Sequence, residues 1–386
     1  METSNYILWI GGVYSEDSIN RGFQISPAAN KWQKGLVNSI IEDIGMPVVL
    51  ISHLPERIWP FGKLLPCLKN KVQFYFGNNF FVEYLNLPCI RTASLTISYK
   101  RKLKLVIEQR GKPVVIISYN PTKENVATGL LAQTKYQIPW IDLCADSYDP
   151  KEDWSGYAKD ASKAKGHIFL SYHAFTKSPF QKKLHLDGGI NSLKFNSEIL
   201  FKKESKEKKI ILYSGMMSIW GGISFLLKAF EKICIPDVEL WICGHGNNSD
   251  LNIALKRDSR IKYFGFVSDS QLQEMCQQAS IFVNPRPSNV NGNNMNFPSK
   301  ILEFLSYGKP VVSTWTPGLS PEYREVLEVL NEETENCLYE TIEKVLYWDD
   351  EKIKNNALRI KSFLLGKKLW SHQSKRMMNW LKEEII

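Results

Sequence analysis

Short apolar runs alternate with amphipathic stretches along the whole chain. ILWIGG at 7–12, PVVLI at 47–51, VQFYFG at 72–77 and PVVIIS at 113–118 read as strands in the first half. KIILYSG at 209–215, VELWICG at 238–244, RIKYFG at 260–265, SIFVNP at 280–285 and PVVST at 310–314 do so in the second. Each is followed by turn residues and then by a helical pattern, which is the rhythm of βα units around a parallel sheet. The charged segment KKESKEKK at 202–209 breaks the rhythm once, after which it restarts. The reading is therefore α/β, with two Rossmann-like, doubly wound domains over 1–200 and 201–365. A last segment, 366–386, carries Leu369, Trp370, Met377, Trp380 and Leu381 at helical spacing and is expected to pack back on the body. In doubly wound sheets ligands bind beyond the carboxyl ends of the strands, so the cleft between the two domains is the expected site.

The most informative stretch is NFPSKILEFLSYGKPVVST at 296–314. It seats one carboxylate, Glu303, in an otherwise apolar helix start. Ser299 after Pro298 reads as an N-cap, and Gly308 before Lys309 and Pro310 closes a helix of about two turns. The amino end of that helix, with Asn296, Ser299 and Lys300, is a seat for a phosphate, and Glu303 lies one turn on, within reach of a sugar hydroxyl.

Other candidates sit after strands. Gly11 and Gly12 let backbone approach a ligand or simply make a strand-to-helix turn, and the long polar 14–34 loop favours binding. Tyr119 and Asn120 follow one strand, Asp142 and Asp146 another, and His173 could serve in acid–base chemistry or as a packing residue. In the second half Gly215, Gly221 and Gly222, then Gly244 and Gly246 flanking His245, offer bare backbone to a phosphate. Ser268 and Gln271 form a capping box. The Asn-rich segment 284–300 can hydrogen-bond sugar hydroxyls.

Composition narrows the classes. The 386 residues are 44% hydrophobic, and no apolar run approaches the length that spans a bilayer. The chain starts without a basic segment ahead of its first apolar run, so a cytosolic protein is expected. Seven scattered cysteines show neither disulfide nor zinc spacing. A formal charge of +9 points to acidic partners, but no nucleic-acid motif is present. The basic stretches 99–104 and 366–382 carry apolar neighbours and read either as solvated helix faces or as helices lying on an anionic membrane. No Asp-x-Asp, P-loop or hydrolase triad pattern occurs, so metal-held diphosphate chemistry and nucleophilic hydrolysis lose ground.

The ordered set ILYSG…GGISFLLKAF, VELWICGHG, IKYFGFVSDSQLQEMCQQASIFVNP and FPSKILEFLSYGKPVVST resembles the nucleotide-sugar-binding half of glycosyltransferase family 4, which has the GT-B fold. The resemblance is good over 209–315 and loose over the first 200 residues. It implies transfer of a sugar, with a UDP-sugar favoured as donor, to a glycan or lipid-linked acceptor, with retention of configuration and no metal cofactor. It places the work in bacterial surface polysaccharide assembly in the cytoplasm, at the inner face of the cell membrane. By resemblance Glu303 binds the donor ribose, Phe264 to Val267, including Phe266, border the base, the 296–300 turn holds the diphosphate, and Gly11 and Gly12 match the acceptor-side glycine loop. Three family positions are altered: the first motif glutamate falls on Met295, the basic pair near Met216 and Trp220, and the catalytic-loop histidine near Tyr119. Lys300 is the expected replacement charge, and Tyr119, Asn120 and Asp146 are the acceptor-side candidates. A catalytically weak partner subunit and a nucleotide-sugar epimerase are the competing readings.

Overall fold

The computed structural model describes residues 5–15, 24–66, 79–146, 161–195, 208–290 and 292–386. The chain divides into two compact units, 1–189 with 370–386, and 190–369. The sequence reading put these limits at 200 and 365.

In the first unit the order is β1 (Ile7–Ile10), α1 (Pro27–Glu42), β2 (Val48–His53), β3 (Asn79–Val82), α2 (Arg91–Arg110), β4 (Val115–Tyr119), α3 (Lys123–Lys135), β5 (Trp140–Cys144), β6 (Gly166–Phe169), α4 (Tyr172–Lys177) and β7 (Lys183–His185). The strands form a parallel seven-stranded sheet in the order β3-β2-β1-β4-β5-β6-β7. Its central strands are apolar on both faces because helices cover both, and β1 is fully buried. The strand expected at 72–77 lies outside the described residues. Asp142 is not at a strand end, as expected, but in the middle of β5 and wholly buried.

The second unit runs β8 (Lys209–Ser214), α5 (Ile223–Phe230), β9 (Val238–Cys243), α6 (Ser249–Arg257), β10 (Ile261–Tyr263), α7 (Asp269–Gln278), β11 (Ile281–Asn284), α8 (Lys300–Leu305), β12 (Val311–Ser313), β13 (Glu328–Val329), α9 (Glu335–Leu346) and α10 (Asp350–Lys367). Its parallel six-stranded sheet has the order β10-β9-β8-β11-β12-β13. Ile211, Leu240, Ile242 and Val283 from the strands meet Ile223, Leu227 and Phe230 of α5 in its core.

The last helix, α11 (Trp370–Trp380), returns to the first unit. Gly35 of α1 leaves room for the Trp370 ring, since a Cβ there would stand 2.2 Å from it. Trp32 meets the same ring edge-on at 5.6 Å, and Ser39 shares a 2.8 Å hydrogen bond with Ser374. The two basic stretches thus have their apolar sides inside the body: Tyr99 and Leu103 of α2 are buried, as are Trp370, Met377 and Met378 of α11. Among the described residues no helix is long and apolar enough to cross a membrane.

Candidate functional site

Each sheet reverses its strand order once, between β1 and β4 in the first unit and between β8 and β11 in the second. Loops leaving such a pair of strands run in opposite directions and open a crevice at the strand ends. Some sequence candidates, Gly11, Gly12, Tyr119, Asn120 and Gly215, fall at these two points, and others follow neighbouring strands.

In the second unit, β8 ends in a loop built on small residues. Tyr213 donates its hydroxyl to the carbonyls of Met216 at 2.8 Å and Gly221 at 3.3 Å, folding the loop over the strand end. Burial pushes the Tyr213 phenol well above its ordinary range, and the nearby Arg286 charge pulls it partly back. Gly221 lies in a separate 3-10 turn, Ile219–Gly221, ahead of the next helix. Gly222 is the residue at the helix start, with φ of 74°, and a Cβ on it would stand 1.9 Å from the Pro285 carbonyl oxygen. Gly215 and Gly244 meet across the ends of β8 and β9, where a Cβ on Gly244 would lie 1.8 Å from the Gly215 carbonyl oxygen. The amide of Gly244 donates to Gly265, which ties in the end of β10. These glycines let three strand ends close on one another.

Beyond that floor, Phe266 stacks on His245 with ring centroids 4.7 Å apart and 19° between planes, and it remains 65% exposed. An exposed aromatic face of this kind can take a planar heterocycle. Met216, Ile219 and Trp220 are exposed too, on the β8 loop.

Helix α8 supplies the charges. Lys300 Nζ lies 3.0 Å from Glu303 Oε2, with the carboxylate side chain 13% exposed and the lysine 38%. Burial pushes the thiol of Cys243 at the end of β9 up, and the charges of Lys300 and Glu303 act on it in opposite directions. The helix is six residues long, close to the two turns expected, but Ser299 is not its side-chain cap. Its backbone is already helical, at φ −55° and ψ −24°, whereas a capping hydroxyl needs an extended backbone to reach back to the free N–H groups. The turn is closed instead by the Ile301 amide donating to the Pro298 carbonyl at 3.0 Å. The helix itself ends at Leu305, and Gly308, at φ 69°, closes the turn that follows it, donating its amide to Leu305 at 2.9 Å. The capping box of Ser268 and Gln271 forms on α7.

The loop between β11 and α8 contains a cation that the sequence reading passed over. Arg286 donates from Nη2 to Asn293 Oδ1 at 2.5 Å and to Asn296 Oδ1 at 2.9 Å. Asn293, fully buried, donates in turn to the carbonyls of Trp220 at 3.1 Å and Pro287 at 2.9 Å. The amide-rich loop is thus a bracket that joins the two loops flanking the β8/β11 crevice and holds a guanidinium there. The run Asn-Pro-Arg-Pro directly after a strand was the available signal, since a basic residue between two prolines has a stiff backbone. Met295, on which the family glutamate falls, is buried at 3% exposure.

In the first unit, Gly11 and Gly12 lie under Gln33 and Tyr14. Gln33 Oε1 accepts from Trp9 Nε1 at 3.0 Å and from the Gly12 amide at 3.2 Å, and Asn30 Oδ1 accepts from the Tyr14 amide at 2.7 Å. Residues 16–23 of the expected binding loop lie outside the described residues. Across the switch point, Tyr119, Asn120 and Asp146 come together at the ends of β4 and β5. Asn120, at φ 64°, accepts through Oδ1 from the amides of Ala145 at 2.8 Å and Asp146 at 3.3 Å, so its side-chain oxygen stitches two loops. Burial first, and then the Asp146 charge, push the Tyr119 phenol far above its ordinary range, leaving it a neutral hydroxyl at physiological pH. His173 lies half-buried in the first turn of α4. Asp142 stands 3.4 Å from Ser118 Oγ inside the sheet. Among the described residues no three His, Cys, Asp or Glu side chains converge as a metal site.

Residues 208–346 match a family described as glycosyl transferases group 1. The second unit is glycosyltransferase-like. Solved structures extend the likeness in fold to the whole chain. Sucrose-phosphate synthase from Thermosynechococcus elongatus has a TM-score of 0.66 at 14% identity, covering 98% of each chain. Anabaena HepE, in complex with UDP and glucose, has 0.66 at 13% identity, covering 98% of this chain and 99% of that one. The lipopolysaccharide outer core galactosyltransferase WaaB in its apo form has 0.64 at 13% identity, over 98% and 100%. No curated protein sequence matches this chain. The fold is GT-B, two Rossmann-like units each with its own parallel sheet.

Proposed function

We propose that the protein is a retaining glycosyltransferase that moves a sugar from a nucleoside diphosphate sugar, with UDP favoured, to a glycan or lipid-linked acceptor in surface polysaccharide assembly. The observation that carries the reading is the Lys300–Glu303 pair at the strand ends of the unit that matches group 1 glycosyltransferases. Glu303 accepts from the ribose hydroxyls, and the exposed Phe266 face takes the base. In HepE, of the same fold, UDP and glucose are the bound molecules.

In the reaction the acceptor oxygen bonds to the anomeric carbon as the bond from that carbon to the diphosphate oxygen breaks. The leaving diphosphate keeps the bonding electrons, and the acceptor's proton passes to its oxygen. Charge grows on the phosphate oxygens, so catalysis depends on donors already aimed at them. Lys300 has three N–H donors and uses one on Glu303; Arg286 is held beside the same crevice by Asn293 and Asn296. These two cations take the place of a metal, and turnover is expected to survive a chelator. Tyr119 and Asp146 are the acceptor-side candidates, the first as a neutral hydrogen-bonding hydroxyl.

A proton NMR time course with UDP-, GDP- and dTDP-sugars tests the proposal. Selective saturation transfer and slow release of a sugar with its anomeric configuration kept is the expected result. An epimerised donor would make the protein an epimerase. Silence across the panel would favour a catalytically weak partner subunit, a second reading suggested by Met216, Trp220 and Met295 at positions where charged donor contacts fall.

A further inference from the structure

The first unit exposes an apolar loop that the chemistry above does not use. Between β2 and β3, Trp59 is 45% exposed, Phe61 81% and Leu65 64%, and Ile58 and Leu64 are exposed beside them. Large apolar side chains scattered singly over a surface are ordinary, whereas five within eight residues mark an interaction site. The loop is held in shape from below. Asn86, fully buried, donates from Nδ2 to the carbonyls of Arg57 at 2.6 Å and Lys63 at 2.8 Å. Its amide donates to Leu64, and its carbonyl accepts from Trp59. The apolar side chains are therefore presented on a fixed frame.

Charge selects the occupant. Arg57 and Lys63, both exposed, bracket the apolar tip, while Glu56 at the start of the loop has one carboxylate oxygen buried. A second copy of this chain would bring the same two cations, and a formal charge of +9, against this surface. An anionic bilayer offers headgroup charge for Arg57 and Lys63 and an interfacial zone that suits Trp59 and Phe61, with acyl chains for Leu64 and Leu65. We propose that the 57–65 loop docks the first unit on an anionic membrane surface. The proposal rests on this surface alone and holds whatever sugar is transferred.

Cosedimentation of the full chain with phosphatidylcholine vesicles, with and without phosphatidylglycerol, tests it without donor or acceptor. Binding to the anionic vesicles is expected to exceed binding to the neutral ones by about tenfold or more and to weaken with salt. The variant F61D/L65D, whose parent side chains are largely solvated, is expected to keep the wild-type thermal transition and lose about tenfold or more of that binding. R57E/K63E should remove the preference for anionic lipid. Absence of wild-type binding, or undiminished binding by F61D/L65D, would overturn the proposal. So would a concentration-dependent dimer in sedimentation velocity that F61D/L65D abolishes, because a second copy would then cover the loop. Failure of vesicle binding leaves the donor NMR result untouched, so the two proposals fail separately.

Discussion

The ammonium of Lys300 lies 3.0 Å from the carboxylate of Glu303, one turn along the same short helix. An i,i+3 pair on an exposed helix contributes only a few tenths of a kcal/mol, whereas here the lysine end is 38% exposed and the carboxylate is mostly buried. Its position at the strand ends, with the carboxylate 13% exposed, fits a pair held for a ligand.

Replacing Glu303 with Ala is expected to lower the thermal transition modestly, because a mostly buried side chain is truncated, and to weaken donor binding in the folded variant. Loss of a charge-assisted hydrogen bond to a ribose hydroxyl costs about 1.5–3 kcal/mol, roughly 10- to 100-fold in affinity. Isothermal titration of the folded variant with the donor found by NMR measures this, and an unchanged affinity removes Glu303 from the donor site.

For Lys300→Ala the turnover number should fall at least as much as the affinity, since the ammonium meets charge that grows as the diphosphate leaves. A rise in KM with kcat intact would assign the lysine to ground-state binding alone.

Arg286→Lys keeps a cation but loses the planar group that two asparagine oxygens hold. About 1–3 kcal/mol of hydrogen bonding is at stake, seen as a lower melting temperature together with a raised donor KM. A variant with wild-type stability and kinetics would show that the bracket of Asn293 and Asn296 does not need the guanidinium.

Gly222→Ala places a methyl group 1.9 Å from the Pro285 carbonyl at a φ of 74°. The strain should cost at least about 2 kcal/mol and pull the β8 loop away from the β11 loop. Denaturant unfolding reads the cost, and a fully stable variant would contradict the close approach of the two loops.

His167 provides a pH test of the first unit. It is buried, lies 3.7 Å from the Phe180 ring in a parallel stack, and donates from Nε2 to the Ala161 carbonyl at 3.2 Å. Burial lowers its pKa to about 4 from 6.5. Between those values the unfolded chain binds the extra proton and the folded one does not, so stability falls as pH drops from about 6.5 towards 4. The full shift corresponds to about 3 kcal/mol. Unfolding of His167→Phe, compared with wild type from pH 7 to pH 4, should show a shallower loss; an identical slope would mean that His167 does not titrate on unfolding.

How far the sequence reaches is visible strand by strand. Among the described residues, eight of the thirteen strands coincide with apolar runs whose period and flanking turns are local properties. Apart from Trp140–Cys144, whose apolar run is interrupted by Asp142, the others are short or poor in apolar pattern: Gly166–Phe169 begins on glycine, and Lys183–His185 and Glu328–Val329 alternate too briefly to signal anything. Their pairing comes from neighbours already in the sheet. The same division runs through the candidate site. Glu303 and Lys300 stand out in the sequence as a charged pair in an apolar helix start, while the use of the Asn120 oxygen is not legible there, since only the fold brings the Ala145 and Asp146 amides to it.

By itself, then, the sequence determined the α/β class, the repeat of βα units in two halves, the glycosyltransferase-like second half and the Glu303 helix. These depend on periodicity and spacing within a few residues of one another. Tertiary structure alone decided that Arg286 is fastened across the β8/β11 switch point, that Gly222 and Gly244 serve the close approach of strand ends, that Ser299 caps nothing, and that residues 370–386 complete the first unit. Each of these depends on which distant segments the sheet order brings into contact, and strand order is set by the packing of the whole unit.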